Sequence, residues 1–133
     1  MGSDLPPRVL LVMTDQWPRA LLRAALRESG YDAVGTRSLA GAARLSAADP
    51  DRGDVALVVL AQEGWTDASR PDLDALRETI EAPVVLLAPA GLRAPEGPWT
   101  KVVRRPVSIG DLVRTVETLL PLPHEARRPL DQR

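Results

Sequence analysis

Cysteine is absent from this 133-residue chain and histidine occurs only once, which excludes several classes of chemical site. A chain without cysteine forms neither disulfides nor thiolate metal centres. The single histidine, His124, lies in a proline-rich segment with no second histidine beside it. The sequence therefore excludes a multi-histidine metal centre and a Ser-His-Asp triad, and it predicts neither a cofactor nor an enzymatic activity.

An excess of charge of either sign is also missing, because the formal net charge is −1. A nearly neutral chain has no general electrostatic attraction to nucleic acid or to an anionic membrane. No apolar run approaches the roughly 20 residues that span a bilayer, and residues 1–8 lack the apolar stretch of a secretory signal. We expect a cytoplasmic protein without membrane contact or direct nucleic-acid binding.

Short apolar runs alternate with helical patterns along most of the chain. A continuous run such as residues 9–12 is typical of a strand that is buried on both faces of a parallel sheet. Strands are predicted at residues 8–13, 31–36, 55–60, 83–87 and 100–104, and helices at 18–29, 39–47, 71–81 and 109–120. The apolar face of the first helix is predicted to contain Leu21, Leu22, Ala25 and Leu26.

The crossover before the last strand, residues 88–99, departs from this alternation. It contains three prolines and two glycines, and each proline inside a helix costs about 3 kcal/mol. We predict an irregular surface segment with at most one helical turn at 91–94. Right-handed crossovers then predict a doubly wound, three-layer α/β domain with a five-stranded parallel sheet at residues 8–120, between tails at 1–7 and 121–133.

The order and spacing of these segments resemble the receiver domain of two-component response regulators. The resemblance covers residues 8–120 and implies a CheY-like, flavodoxin-like sheet of strand order 2-1-3-4-5, with the fourth helix shortened or absent. It is carried by Val9-Leu10-Leu11-Val12, Asp54-Val55-Ala56-Leu57-Val58-Val59, Ala82-Pro83-Val84-Val85-Leu86-Leu87, and Arg105-Pro106 before a capped final helix.

The residues that perform phosphotransfer in receiver domains are replaced in this chain. In the family, two acids after the first strand hold Mg²⁺, an aspartate at the end of the third strand accepts the phosphoryl group, a Ser or Thr ends the fourth strand, and a Lys precedes a Pro. The matching residues are Met13 and Thr14 (with Asp15 one residue late), Val59 (or Leu60), Ala88 and Arg105, and Val102 replaces the switch aromatic. Because valine has no lone pair to attack phosphorus, the resemblance implies a degenerate pseudo-receiver.

Two functional hypotheses follow. The first is a phosphorylation-independent pseudo-receiver that binds protein partners in bacterial two-component-type signalling or transcription regulation, with a homodimer through the last strand and helix left open. The second is a small-molecule-binding regulator or enzyme at the carboxyl edge of the sheet, lined by Met13, Val59, Leu60 and Ala88. The chain is either a whole protein or one domain of a longer regulator.

Three tryptophans, Trp17, Trp65 and Trp99, are candidate interaction residues together with Val102. All three are predicted in loops at or beside the carboxyl edge, either as interface anchors or folded over the apolar site. The charged candidates each have a second interpretation. Arg105 contacts an acidic partner or an anion, or it is a surface or ion-paired residue. Asp15 is a remnant ligand of a metal or phosphate site, or a turn carboxylate that caps the first helix. Arg19, Arg23 and Arg27 dock a partner helix or nucleic acid, or they form a solvated face.

Overall fold

Five parallel strands form the centre of the molecule, in the order β2-β1-β3-β4-β5. The computed structural model describes residues 5–48, 54–63, 65 and 69–122. The strands are β1 (Arg8–Val12), β2 (Asp32–Thr36), β3 (Val55–Ala61), β4 (Val84–Ala88) and β5 (Trp99–Arg104), and the helices are α1 (Gln16–Glu28), α2 (Leu39–Ala48), α3 (Ser69–Thr79) and α4 (Ile109–Leu119). The predicted α/β class, parallel sheet and strand order are confirmed.

Each face of the sheet is covered by its own pair of helices, because successive side chains of a strand point to opposite faces. Leu11 and Val59 pack with Leu22 and Leu26 of α1 and with residues of α4. Leu10 and Leu60 belong to the other core, beneath α2 and α3. The continuous apolar runs of the sequence thus supply both cores at once.

Local signals set the ends of the helices. The Ser108 side chain accepts a hydrogen bond from the backbone N–H of Asp111 at 3.0 Å, and Ser38 does the same for Gly41 at 3.0 Å. Gly30 follows α1 with φ at +109°, a conformation that L side chains rarely adopt. The side chains of Ser38 and Ser108 therefore cap the starts of α2 and α4, and Gly30 ends α1.

The crossover between β4 and β5 is irregular, as predicted, and no helix forms in this described segment. Its backbone is held by side chains from the sheet. The Arg104 guanidinium donates to the Leu92 carbonyl at 2.6 Å, and the Trp99 indole N–H donates to the Pro95 carbonyl at 2.7 Å. The proline-rich crossover lacks a regular pattern of backbone hydrogen bonds, and side chains of β5 hold it in place instead.

The packed part of the chain extends past the predicted domain boundary at residue 120. Leu122 is buried, and its side chain reaches Gly30, while the Tyr31 hydroxyl donates to the Leu120 carbonyl at 2.6 Å. His124 and the rest of the predicted tail, 123–133, lie outside the described residues. In the described parts of the chain, no helix has the length and apolar character needed to cross a membrane.

The prediction that Leu21 shares the apolar face of α1 is wrong, because this side chain is 53% exposed. Leu22 and Leu26 form the buried side of the helix. They are one turn apart, whereas Leu21 lies about 100° around the helix from Leu22 and points away from the sheet.

Candidate functional site

Apolar, buried side chains occupy the positions that the resemblance matches to the phosphotransfer residues of receiver domains. Met13 is 2% exposed, Val59 is 1% exposed and Ala88 is fully buried. Met13 and Val59 belong to the core beneath α1 and α4. This part of the carboxyl edge therefore presents neither a carboxylate nor a hydroxyl group.

Val59 lies inside the sheet, between two neighbouring strands. It pairs with Leu11 on one side and Val85 on the other, and β3 continues for two more residues to Ala61. The predicted strand at residues 55–60 is confirmed, and it extends one residue further to Ala61. Apolar residues extend the strand because each of them finds a buried place between two neighbouring strands.

The loop after β1 is held by an arginine. Arg19 donates from Nη1 to the Met13 carbonyl at 2.7 Å, and its methylene stem packs so closely on Gly35 that a Cβ there would lie 3.0 Å away. Thr14 and Asp15 are both exposed in this loop. The Asp15 carboxylate forms no capping hydrogen bond with α1, so its interpretation as a side-chain cap is wrong.

An ion pair crosses the edge of the sheet between Arg105 and Glu63. Glu63 follows β3 and Arg105 follows β5, so the pair joins two loops across the end of β4. The interpretation of Arg105 as an ion-paired residue is confirmed. Glu63 is not among the predicted site residues, although it is the first carboxylate after β3 and parallel topology brings the ends of neighbouring strands together.

The Mg²⁺ that receiver domains use does not fit the residues at this edge. Mg²⁺ requires several oxygen ligands in octahedral geometry, usually with one or two carboxylates. Met13 and Val59 carry no oxygen in their side chains, and the Glu63 carboxylate is paired with Arg105. Over the described ranges of the chain, no cluster of three Asp, Glu, His or Cys side chains could hold a metal ion.

Two of the three tryptophans pack on each other. The rings of Trp65 and Trp99 are edge to face, with centroids 5.7 Å apart and planes at 79°. Both are half-buried against the core beneath α2 and α3, as is Val102. The described crossover between β4 and β5 contains no helix that could cover the sheet. The aromatic pair packs on the core there, and it adds buried apolar area and a favourable edge-to-face ring geometry.

The three tryptophans do not all lie in loops at the carboxyl edge of the sheet, where the sequence predicts them. Trp99 is the first residue of β5 and pairs with Val84, the first residue of β4, so its predicted position in a loop by the carboxyl edge is wrong. Its ring lies over Gly97, where a Cβ would come within 2.4 Å of the indole. Trp17, in the first turn of α1, is 77% exposed.

A cavity of about 230 Å³ opens at the carboxyl edge on the α2 and α3 side of the sheet. The predicted pocket is only partly matched, because Leu60 lines this cavity while Met13, Val59 and Ala88 do not. Trp65 also contributes to the wall, and polar side chains converge from three loops. The lining residues are Val12, Thr14, Arg37, Ser38, Leu39, Leu60, Ala61, Glu63, Trp65, Ser69 and Asp72.

The solved structures of similar fold include many receiver domains. A response regulator receiver protein from Burkholderia phymatum is 18% identical, covering 88% of this chain and 97% of that chain with a TM-score of 0.68. The signal receiver domain of an HD domain-containing protein from Pseudomonas fluorescens Pf-5 is 21% identical, with coverage of 86% and 94% and a TM-score of 0.67. The receiver domain of a putative Luxo repressor protein from Vibrio parahaemolyticus is 18% identical, with coverage of 86% and 89% and a TM-score of 0.65.

Comparisons at the level of sequence add no relative. No protein-family model matches the chain, and no curated protein matches it. The structural similarity nevertheless spans nearly the whole described domain. This chain therefore has the CheY-like fold of response regulator receiver domains.

Proposed function

We propose that this protein is a phosphorylation-independent pseudo-receiver that works by binding protein partners in a signalling pathway. The observation that carries the proposal is the burial of Met13, Val59 and Ala88 at the positions matched to the phosphotransfer site. A phosphoryl acceptor needs an accessible lone pair, which these side chains do not have. The similar fold of receiver domains supports the signalling context.

Contacts within the crossover support a fixed binding face. Arg104 and Trp99 hold its backbone through hydrogen bonds from β5. Arg70 of α3 donates to the Glu96 carbonyl, and Gln62 donates to the Arg93 carbonyl at 3.4 Å. Four side chains, from β5, from α3 and from the loop after β3, therefore restrain this crossover, and none of these bonds involves the position matched to a phosphoryl acceptor.

Treatment with a phosphoryl donor is expected to leave the protein unchanged. We expect no mass gain of one phosphate with acetyl phosphate and Mg²⁺, and no shift of backbone NMR signals at the carboxyl edge with beryllofluoride and Mg²⁺. A receiver domain with an intact aspartate, treated in parallel, verifies the reagents. A stoichiometric phosphate on Asp15, Glu63 or Asp72 would contradict the proposal.

The cavity beside Trp65 favours a second candidate function, the binding of a small polar molecule. Its lining combines apolar side chains with a guanidinium, two hydroxymethyl groups and two carboxylates, a composition suited to a ligand that carries both charges. Its volume of about 230 Å³ limits the ligand to a small molecule.

Partial filling of this cavity tests the second function. Ser69, the half-buried first residue of α3, lines the cavity, so Ser69→Leu replaces a hydroxyl group there with a larger apolar group. In an NMR screen of small zwitterionic fragments, ligands of this cavity should shift the amides of Thr14 and Trp65 and lose at least about tenfold in affinity in the variant. Ala90→Leu, at an exposed position of the crossover, is the control. Fragments that bind both variants equally would exclude the cavity as their site.

A further inference from the structure

The solvent-facing side of α1 carries an apolar stripe that the fold does not use. We define the α1 stripe as Trp17, Ala20, Leu21 and Ala24. Their spacing of i, i+3, i+4 and i+7 places them along one side of a helix. All four are exposed, with Trp17 at 77% and Leu21 at 53%. The buried side of the helix, made by Leu22 and Leu26, lies opposite.

A second apolar side is unusual for a helix that lies on the surface of a sheet. The outer side of such a helix is normally polar, whereas single exposed apolar residues are common and need no explanation. Here a tryptophan and a leucine are one turn apart, and the two alanines extend the same side. Tryptophan is also the type of residue most enriched among those that dominate binding energy at protein interfaces.

One border of the α1 stripe is basic. Arg23 and Arg27 are exposed and lie one turn apart beside the alanines. Arg23 is held toward the edge of the sheet, because its Nε donates to the Ala33 carbonyl at 3.3 Å. Among the residues that the structure describes, no carboxylate forms an ion pair with either arginine. Two guanidinium groups are thus available to acidic groups of a partner.

We propose that the α1 stripe docks an amphipathic helix of a partner protein, with apolar residues at helical spacing and carboxylates on the side that meets Arg23 and Arg27. This inference rests on the proposed function as a protein-interaction module. Trp17 and Leu21 supply the apolar anchors, and the small side chains of Ala20 and Ala24 allow a second helix to approach closely. The arginines determine which partner helices fit, since like charges opposite them would repel.

A second copy of this chain matches the surface less well. In a twofold dimer the same patch of each copy meets the other. The arginines of one copy would then face mainly the arginines or the apolar side chains of the other, because the single carboxylate of α1, Glu28, lies at the end of the stripe. Charge complementarity therefore favours a different, acidic helix over self-association.

A displayed library of helical peptides tests the proposal. The peptides, about 25 residues long, carry a fixed apolar heptad stripe, and the flanking positions vary among Glu, Lys and Ser. Selection against the full chain should enrich Glu over Lys on one flank by at least about tenfold. The double variant Trp17→Ala with Leu21→Ala should weaken the selected peptides at least about tenfold. Leu92→Ala, on the exposed crossover, is the matched control and should have no effect.

Reversing the charge of the two arginines tests their role more directly than the loss of the apolar anchors does. In the variant Arg23→Glu with Arg27→Glu, the same selection should enrich Lys in place of Glu. The proposal is overturned if no peptide is enriched, if binders ignore the loss of Trp17 and Leu21, or if their flanking charge is random. It is also overturned if sedimentation at micromolar concentration shows a dimer that the Trp17→Ala, Leu21→Ala variant dissociates. None of these outcomes depends on phosphorylation, so the proposed function and this docking surface fail separately.

Discussion

Val59→Asp is expected to destabilise the protein by about 3–5 kcal/mol without creating a phosphorylation site. The side chain is 1% exposed and lies between Leu11 and Val85, so a carboxylate there would lose its water and gain no cation. Met13, Ala88 and Arg105 would still lack the groups that bind metal and phosphate in receiver domains. Urea unfolding measures the loss of stability, and intact mass after acetyl phosphate measures phosphorylation.

Val59→Ala is the matched control, because it removes the same methyl groups without adding charge and should cost about 2 kcal/mol. Burial raises the pKa of the new carboxyl group, so the aspartate variant should gain stability relative to the alanine variant as the pH falls. A Mg²⁺-dependent conformational shift in Val59→Asp alone would contradict the proposal that this chain is a pseudo-receiver.

Trp99→Ala is expected to destabilise the protein by about 2–3 kcal/mol and to loosen the crossover between β4 and β5. The expected loss of stability is smaller than for a fully buried tryptophan, because Trp99 is only half-buried. The variant removes the ring contact with Trp65, the packing on Gly97 and the hydrogen bond to Pro95. Amide exchange of residues 90–98 should accelerate at least about tenfold, which hydrogen-exchange mass spectrometry detects.

Trp17→Ala is the control for this prediction, since it removes the same side chain from a position that is 77% exposed. Its stability should change by no more than about 0.5 kcal/mol, and exchange in the crossover should stay the same. Equal losses in the two variants would mean that Trp99 does not hold the crossover in place. The pair of variants therefore separates a packed tryptophan from an exposed one.

Local chemistry was sufficient to predict the sheet, most helix ends and the irregular crossover. Strands β1, β3 and β4 contain continuous apolar runs, Ser38 and Ser108 cap helices through their own neighbours, and the prolines of the crossover exclude a helix wherever the segment lies. The apolar character of Met13, Val59 and Ala88, which the resemblance matches to phosphotransfer residues, is likewise a property of residue types. These signals can be read without contacts between distant parts of the chain, whereas the strand order came from the resemblance to receiver domains.

Tertiary structure decided which side chains meet and which stay exposed. Glu63 and Arg105 are far apart in the chain and pair because β3 and β5 end at the same edge of the sheet. Trp99 and Leu21 were misplaced because a residue's edge or face depends on register and on which helix side contacts the sheet. The cavity on the α2 and α3 side also depends on tertiary structure. Strand pairing, and not residue type, decides which face of the sheet each side chain lies on.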